Sequence, residues 1–213
     1  MARKPAAGTR DRIINVAASL FYRSGVRAVG MNEIIDEAGC GKSLLYGHFP
    51  SKTELVAEYL QVTRRARDES AQRAIHDAGD DPAAALVALT AEVARKAREP
   101  GFRGCAFRNY LAEFPNGDDA PGQIASGYLR DTRSQVDGLV KRLGVGEPRI
   151  LADRIWLIIE GIYGGGARPG AGRLGPSAVS LVEELINDAT GLGRRSLTSL
   201  RGAGSQRQRS VSD

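Results

Sequence analysis

The stretch GMNEIIDEAGCGKSLLYGHFPSKTEL, residues 30–55, holds two short apolar-periodic segments separated by Gly39-Cys40-Gly41. Met31 to Ala38 places Ile34, Ile35 and Ala38 on one side, and Lys42 to Phe49 does the same with Leu45 and Phe49. A three- or four-residue turn containing glycine sets two such helices at a steep angle, which lets the second enter a major groove. The spacing therefore predicts a helix-turn-helix over about residues 32–51. Ile34, Ile35, Ala38, Cys40, Leu45 and Phe49 pack inward, and Lys42, Ser43, Leu44, Gly47 and His48 face out. The outward set is mostly small, polar or basic, as a surface that reads DNA requires. On pattern alone, ordinary helix packing remains the alternative.

The flanking sequence is also helical. Thr9 to Ser24 carries Ile13, Ile14, Ala17, Ala18, Leu20 and Phe21 at a 3.6-residue period, and Gly25 follows as a C-terminal stop. Pro50-Ser51 breaks the chain, and Ser51 with Glu54 makes a capping box for a long helix running to about Ile75. Asp81-Pro82 opens another, expected to reach about Glu99. Further helices are predicted over about Gly104–Phe114, Gln123–Leu143, Pro148–Tyr163 and Ser177–Thr190. No segment alternates with period two. The fold class is all-α, with about nine helices.

Composition bounds the function. The chain has 213 residues, of which 42% are apolar and 26% charged, with a net charge of +5. The charge is uneven: residues 1–73 hold 12 Lys/Arg against 8 Asp/Glu, residues 74–192 hold 13 against 16, and residues 193–213 hold 5 against 1. A basic excess near the N-terminus suits a polyanion partner. Two cysteines (Cys40, Cys105) and two histidines (His48, His76) exclude a disulfide scaffold and leave little for metal binding, so no metal or cofactor is expected. No glycine-rich phosphate loop follows a strand and no nucleophile–histidine pair is evident, so the chain is not read as an enzyme. The N-terminus lacks an apolar run and no stretch reaches the ~20 apolar residues of a membrane span, so a cytoplasmic location without membrane contact is expected. The Ser/Arg/Gly-rich residues 193–213 are expected to be a disordered basic tail.

Residues 9–60 closely resemble the DNA-binding domain of the TetR (tetracycline-repressor-like) family of bacterial transcription regulators. The resemblance is carried by Thr9-Arg-Asp-Arg-Ile-Ile, Leu20-Phe21, Gly25, Ile34, Ala38-Gly39, Leu45-Tyr46 and His48-Phe49-Pro-Ser-Lys52-Thr-Glu-Leu55. It implies a helix-turn-helix DNA-binding domain over 9–69 and a ligand-binding and dimerisation domain over 70–192. It also implies that Tyr46, His48 and Lys52 meet phosphates, with Lys42, Ser43, Leu44 and Gly47 on the groove-facing surface. Tyr46 as a packing aromatic and His48 as a helix-end cap stay open. The chain departs from the family at Gly30 and Gly41, where Ser or Thr usually caps, and at Leu44 and Gly47, where polar and aromatic residues are common. The reading helix is thus poor in hydrogen-bonding side chains, which implies phosphate-dominated binding and apolar contact with thymine methyls.

The resemblance further implies a dimeric, ligand-responsive repressor released from a palindromic double-stranded operator by a small-molecule effector. The segment at 148–163 is apolar nearly all round and must be covered on two sides. With 177–190 it is expected to pair with a second subunit through Ile159, Val182, Leu185 and Ile186, core packing being the alternative. The segment Gly104-Cys105…Asn109…Glu113 is similar to a pattern of one TetR-like subgroup. Cys105, Phe107, Asn109, Tyr128, Trp156 and Tyr163 are the candidate effector-lining residues, against Asn109 tying down a loop and the aromatics filling core. Two other functions stay open: a thiol sensor of oxidants or electrophiles through Cys105 or Cys40, and a helical ligand-binding or interaction module whose DNA face has decayed.

Overall fold

The computed structural model describes residues 8–165 and 174–191. Among them are nine helices: α1 (Thr9–Ser24), α2 (Met31–Ala38), α3 (Lys42–His48), α4 (Lys52–Asp77), α5 (Pro82–Lys96), α6 (Ala106–Glu113), α7 (Ala120–Arg142), α8 (Pro148–Gly165) and α9 (Leu174–Thr190). No described residue is in a strand, so the all-α expectation holds over the described residues. The tail at 193–213 lies outside them. No described helix is long and apolar enough to cross a membrane.

Helix ends follow the local chemistry. Gly25 (φ +88) returns its N–H to Phe21, and Gly39 (φ +57) closes α2 in the left-handed conformation. The Ser51 hydroxyl accepts the Glu54 N–H at 3.1 Å, and Asp81 Oδ1 accepts the Ala83 N–H at 2.9 Å. Two starts differ from expectation by three residues. Helix α7 begins at Ala120 rather than Gln123, because Asp119 Oδ1 caps the Gly122 N–H at 2.9 Å and Pro121 fits a first turn. Helix α9 begins at Leu174 rather than Ser177, since Pro176 falls where a first-turn N–H would have no partner anyway.

The described chain divides into two compact units. The first comprises residues up to Gln72 and Glu99–Thr132. Its core joins α1 to the helix-turn-helix through Ile13, Leu20, Phe21, Ile34, Leu45, Phe49, Leu55 and Leu60, all buried. Two long-range polar ties hold residues 99–113 to this core. The Tyr22 hydroxyl accepts the Arg103 N–H and donates to the Gly104 carbonyl, both at 2.9 Å. Glu113 receives the backbone of the α1–α2 turn.

The second unit comprises Arg73–Arg98 and the residues from Arg133 onward. Helices α5, α8 and α9 pack against one another. Small residues permit this: a Cβ on Gly175 of α9 would stand 3.1 Å from the Ala94 Cβ of α5. Here the interface expectation is corrected. Ile159, Val182 and Ile186 are covered within one chain, at 3%, 0% and 3% exposure. They form the inward stripes of α8 and α9, and no surface of theirs remains for a partner. Leu185 is half-buried at the stripe's edge. Among the described residues of this unit, the exposed large apolar side chains are Ile150 and Leu157 on α8 and Leu174 and Leu181 on α9.

Candidate nucleic-acid interface

Helix α3 has seven residues and one deep anchor, Leu45, which is fully buried; Phe49 follows as the buried C-cap. This leaves Lys42, Ser43, Tyr46 and Gly47 exposed, with Leu44 and His48 half-buried. The Lys42 ammonium lies 6.0 Å from the centre of the Tyr46 ring, so charge and aromatic face are presented together. Tyr46 is 38% exposed, so part of its ring packs on the domain and part is presented outward. Neither Gly41 nor Gly47 has any atom within 4 Å of a would-be Cβ, so both open onto free space.

His48 is more constrained than the sequence suggested. Its Nε2 is buried without a hydrogen-bond partner, so only Nδ1 is available for a contact outside the domain. Lys52, in the first turn of α4, borders a cleft of about 270 Å³ lined also by Arg27, Val56, Tyr110, Phe114 and Asp119. Burial lowers the Lys52 pKa from its ordinary 10.5, and the negative charge of Glu113 opposes that shift. Behind this face, the Arg10 guanidinium stands 5.2 Å over the Phe49 ring and pairs with Glu58 at 3.2 Å. Arg10 fixes the end of α3 from α1, a role that no local sequence signal announces.

The candidate effector residues are distributed between the units. Cys105, Phe107, Asn109 and Tyr128 belong to the first, and Trp156 and Tyr163 to the second. Phe107 and Tyr128 are buried and stacked on each other at 3.9 Å between ring centres. Asn109 Nδ2 donates to the Arg103 carbonyl at 3.0 Å, so of its two open roles the loop tie is present. The Arg133 guanidinium covers Trp156 at 5.9 Å. Cys105 is buried and Cys40 half-buried, and both are free thiols. No group of three His, Cys, Asp or Glu that could hold a metal occurs among the described residues.

Residues 13–59 match the family model described as bacterial regulatory proteins, tetR family. The N-terminal region is therefore similar to tetR-family domains over these residues. Over 66 residues the chain is 42% identical to the HTH-type transcriptional activator FasR of Mycolicibacterium smegmatis, covering 31% of this chain and 29% of that one. Over 55 residues it is 40% identical to the HTH-type transcriptional repressor KstR2 of Rhodococcus jostii, covering 26% and 27%. These matches span under a third of the curated relatives' length. A crystal structure of a TetR-family transcriptional regulator from Streptomyces coelicolor superposes with a TM-score of 0.81, covering 86% of this chain and 97% of that one, at 24% identity. The chain thus shares the all-α fold of that structure over most of its length.

Proposed function

We propose that the protein is a dimeric transcriptional regulator that binds a palindromic operator and releases it when a small molecule binds. The observation that carries this reading is the exposed cluster Lys42, Ser43, Tyr46 and Gly47 on a helix anchored by Leu45. Such a helix offers its outer face to a groove at no cost to the core. Lys42, Tyr46, His48 through Nδ1, and Lys52 supply phosphate contacts, and Ser43, Leu44 and Gly47 approach the bases. A phosphate arriving at Lys52 stabilises the ammonium that burial disfavours.

The dimer reading rests on the uncovered face of the second unit. Of the five large apolar side chains exposed among the described residues, four lie on the adjacent helices α8 and α9. Paired across a two-fold axis, Ile150, Leu157, Leu174 and Leu181 make a self-complementary apolar surface. Leu185 extends it. Two recognition helices then address two half-sites. Residues 9–69 serve as the DNA-binding domain and 70–192 as the effector and dimer domain. The relatives include an activator and a repressor. Repression is favoured here because occupying an operator needs no further partner. The thiol-sensing alternative is less supported at Cys105, since burial denies it the access that a reactive thiol needs, and rests on the half-buried Cys40.

The test is site selection from random duplex DNA with the full-length protein. Enrichment of a palindrome with half-sites separated by about one or more helical turns is expected. Retention of DNA without enrichment, lost as salt is raised, refutes the regulator reading.

A further inference from the structure

The turn between α1 and α2 is held from outside the helix-turn-helix. The Glu113 carboxylate, at the end of α6, accepts the Val26 N–H at 3.0 Å on Oε1 and the Arg27 N–H at 2.7 Å on Oε2. Gly25 adjoins them at φ +88, and a Cβ there would come within 3.0 Å of Oε1. The carboxylate is therefore seated against a position that glycine alone fills without strain. The Arg27 guanidinium lies 4.8 Å over the ring of Phe114, the residue after Glu113. Two consecutive residues thus grip one turn by three contacts.

We propose that Glu113 is a positioning residue for operator binding. It fixes the α1–α2 turn, and with it the direction in which α2 and then α3 leave α1, without touching DNA itself. A carboxylate that takes two backbone N–H groups at once is charge-assisted and sets an angle as well as a distance. Its charge also acts on Lys52, so the turn and a phosphate-gripping lysine answer to the same group. Helix α6 is eight residues long and carries Phe107 and Asn109 as well as Glu113. The inference rests on the DNA-binding reading above and adds a residue that positions the reading helix from outside it.

The experiment uses full-length protein and the duplex that the unaltered protein selects. Glu113→Gln keeps the size but places an NH₂ against one of the two N–H groups. Glu113→Asp is a milder variant that keeps the charge. Tyr22→Phe removes a different tie within the same unit and serves as the control for general loosening. Glu113→Gln is expected to lose at least about tenfold in specific affinity, with an unchanged salt slope because no phosphate contact is lost. Glu113→Asp falls between it and the unaltered protein. Amide exchange at Val26 and Arg27 speeds up in Glu113→Gln and not in Tyr22→Phe. Unaltered specific affinity in Glu113→Gln overturns the proposal, as does an equal loss in Tyr22→Phe. If Glu113→Gln does not fold, Glu113→Asp decides: full specific affinity overturns the role. If the unaltered protein selects no sequence, the DNA-binding reading itself fails, which is a separate result.

Discussion

Leu157→Glu should convert the protein to monomers without unfolding it. Leu157 is 69% exposed in the single chain, so the fold does not depend on it. Fully burying a leucine is worth about 2–3 kcal/mol, so covering the remaining two-thirds contributes about 1.5–2 kcal/mol per protomer. A two-fold axis repeats the contact, giving about 3–4 kcal/mol per dimer, before the further cost of setting two carboxylates into the interface. At 1.4 kcal/mol per decade, the dimer Kd should rise by at least about 100-fold. Sedimentation across a concentration series measures this directly, with circular dichroism and a melting curve as the folding check. The expected result is a monomer of native helix content and near-native Tm that no longer holds the palindrome. Val182→Glu offers the contrast: at 0% exposure it places a charge inside the monomer and should unfold the second unit. An intact Leu157→Glu dimer, or a monomer that has lost its helices, refutes the assignment of this face.

Lys52→Ala should weaken binding to all DNA about equally and reduce the salt slope by about one unit, measurable by fluorescence anisotropy at several salt concentrations. Gly25→Ala combines a left-handed φ with a Cβ pressed on Glu113, so about 2 kcal/mol of stability should be lost, seen as a Tm lower by roughly 4–8 °C. Stability should also fall in alkali. Burial raises Tyr22, Tyr59, Tyr110 and Tyr128 above their ordinary value of 10, and for Tyr110 the bond to Asp119 adds to the rise. The folded protein keeps these protons while the unfolded chain releases them. Stability is thus fully present below pH 10 and declines as pH rises above it. Phenolate absorbance should appear together with loss of helix, and separate titration of these tyrosines in a still-helical protein contradicts the assignment.

The helices and the helix-turn-helix were legible because their determinants are local. Capping residues, glycine stops and the 3.6-residue period act within a few positions, and Leu45 and Phe49 followed from them. The interface residues were misread for a geometric reason. On an all-apolar helix, period alone does not say which of two apolar stripes meets the chain's own core. Ile159 faces inward and Leu157, two residues earlier, faces out; only the placement of α5 and α9 decides between them. Glu113 was visible as part of a spaced pattern, yet its role was not. Its hydrogen bonds span 86 and 87 residues of sequence, beyond any local signal. Tyr22 was silent for the same reason.

Helix α3 meets the domain core through Leu45, while Gly41 and Gly47 face open space with no atom near a prospective side chain. On the proposed reading, recognition and folding are encoded at different positions of the same seven residues. A single-nucleotide change at Gly47 can add a side chain on the proposed reading face without disturbing any packed contact. If that face reads DNA, sequence preference can change there while the stability of the fold is left alone.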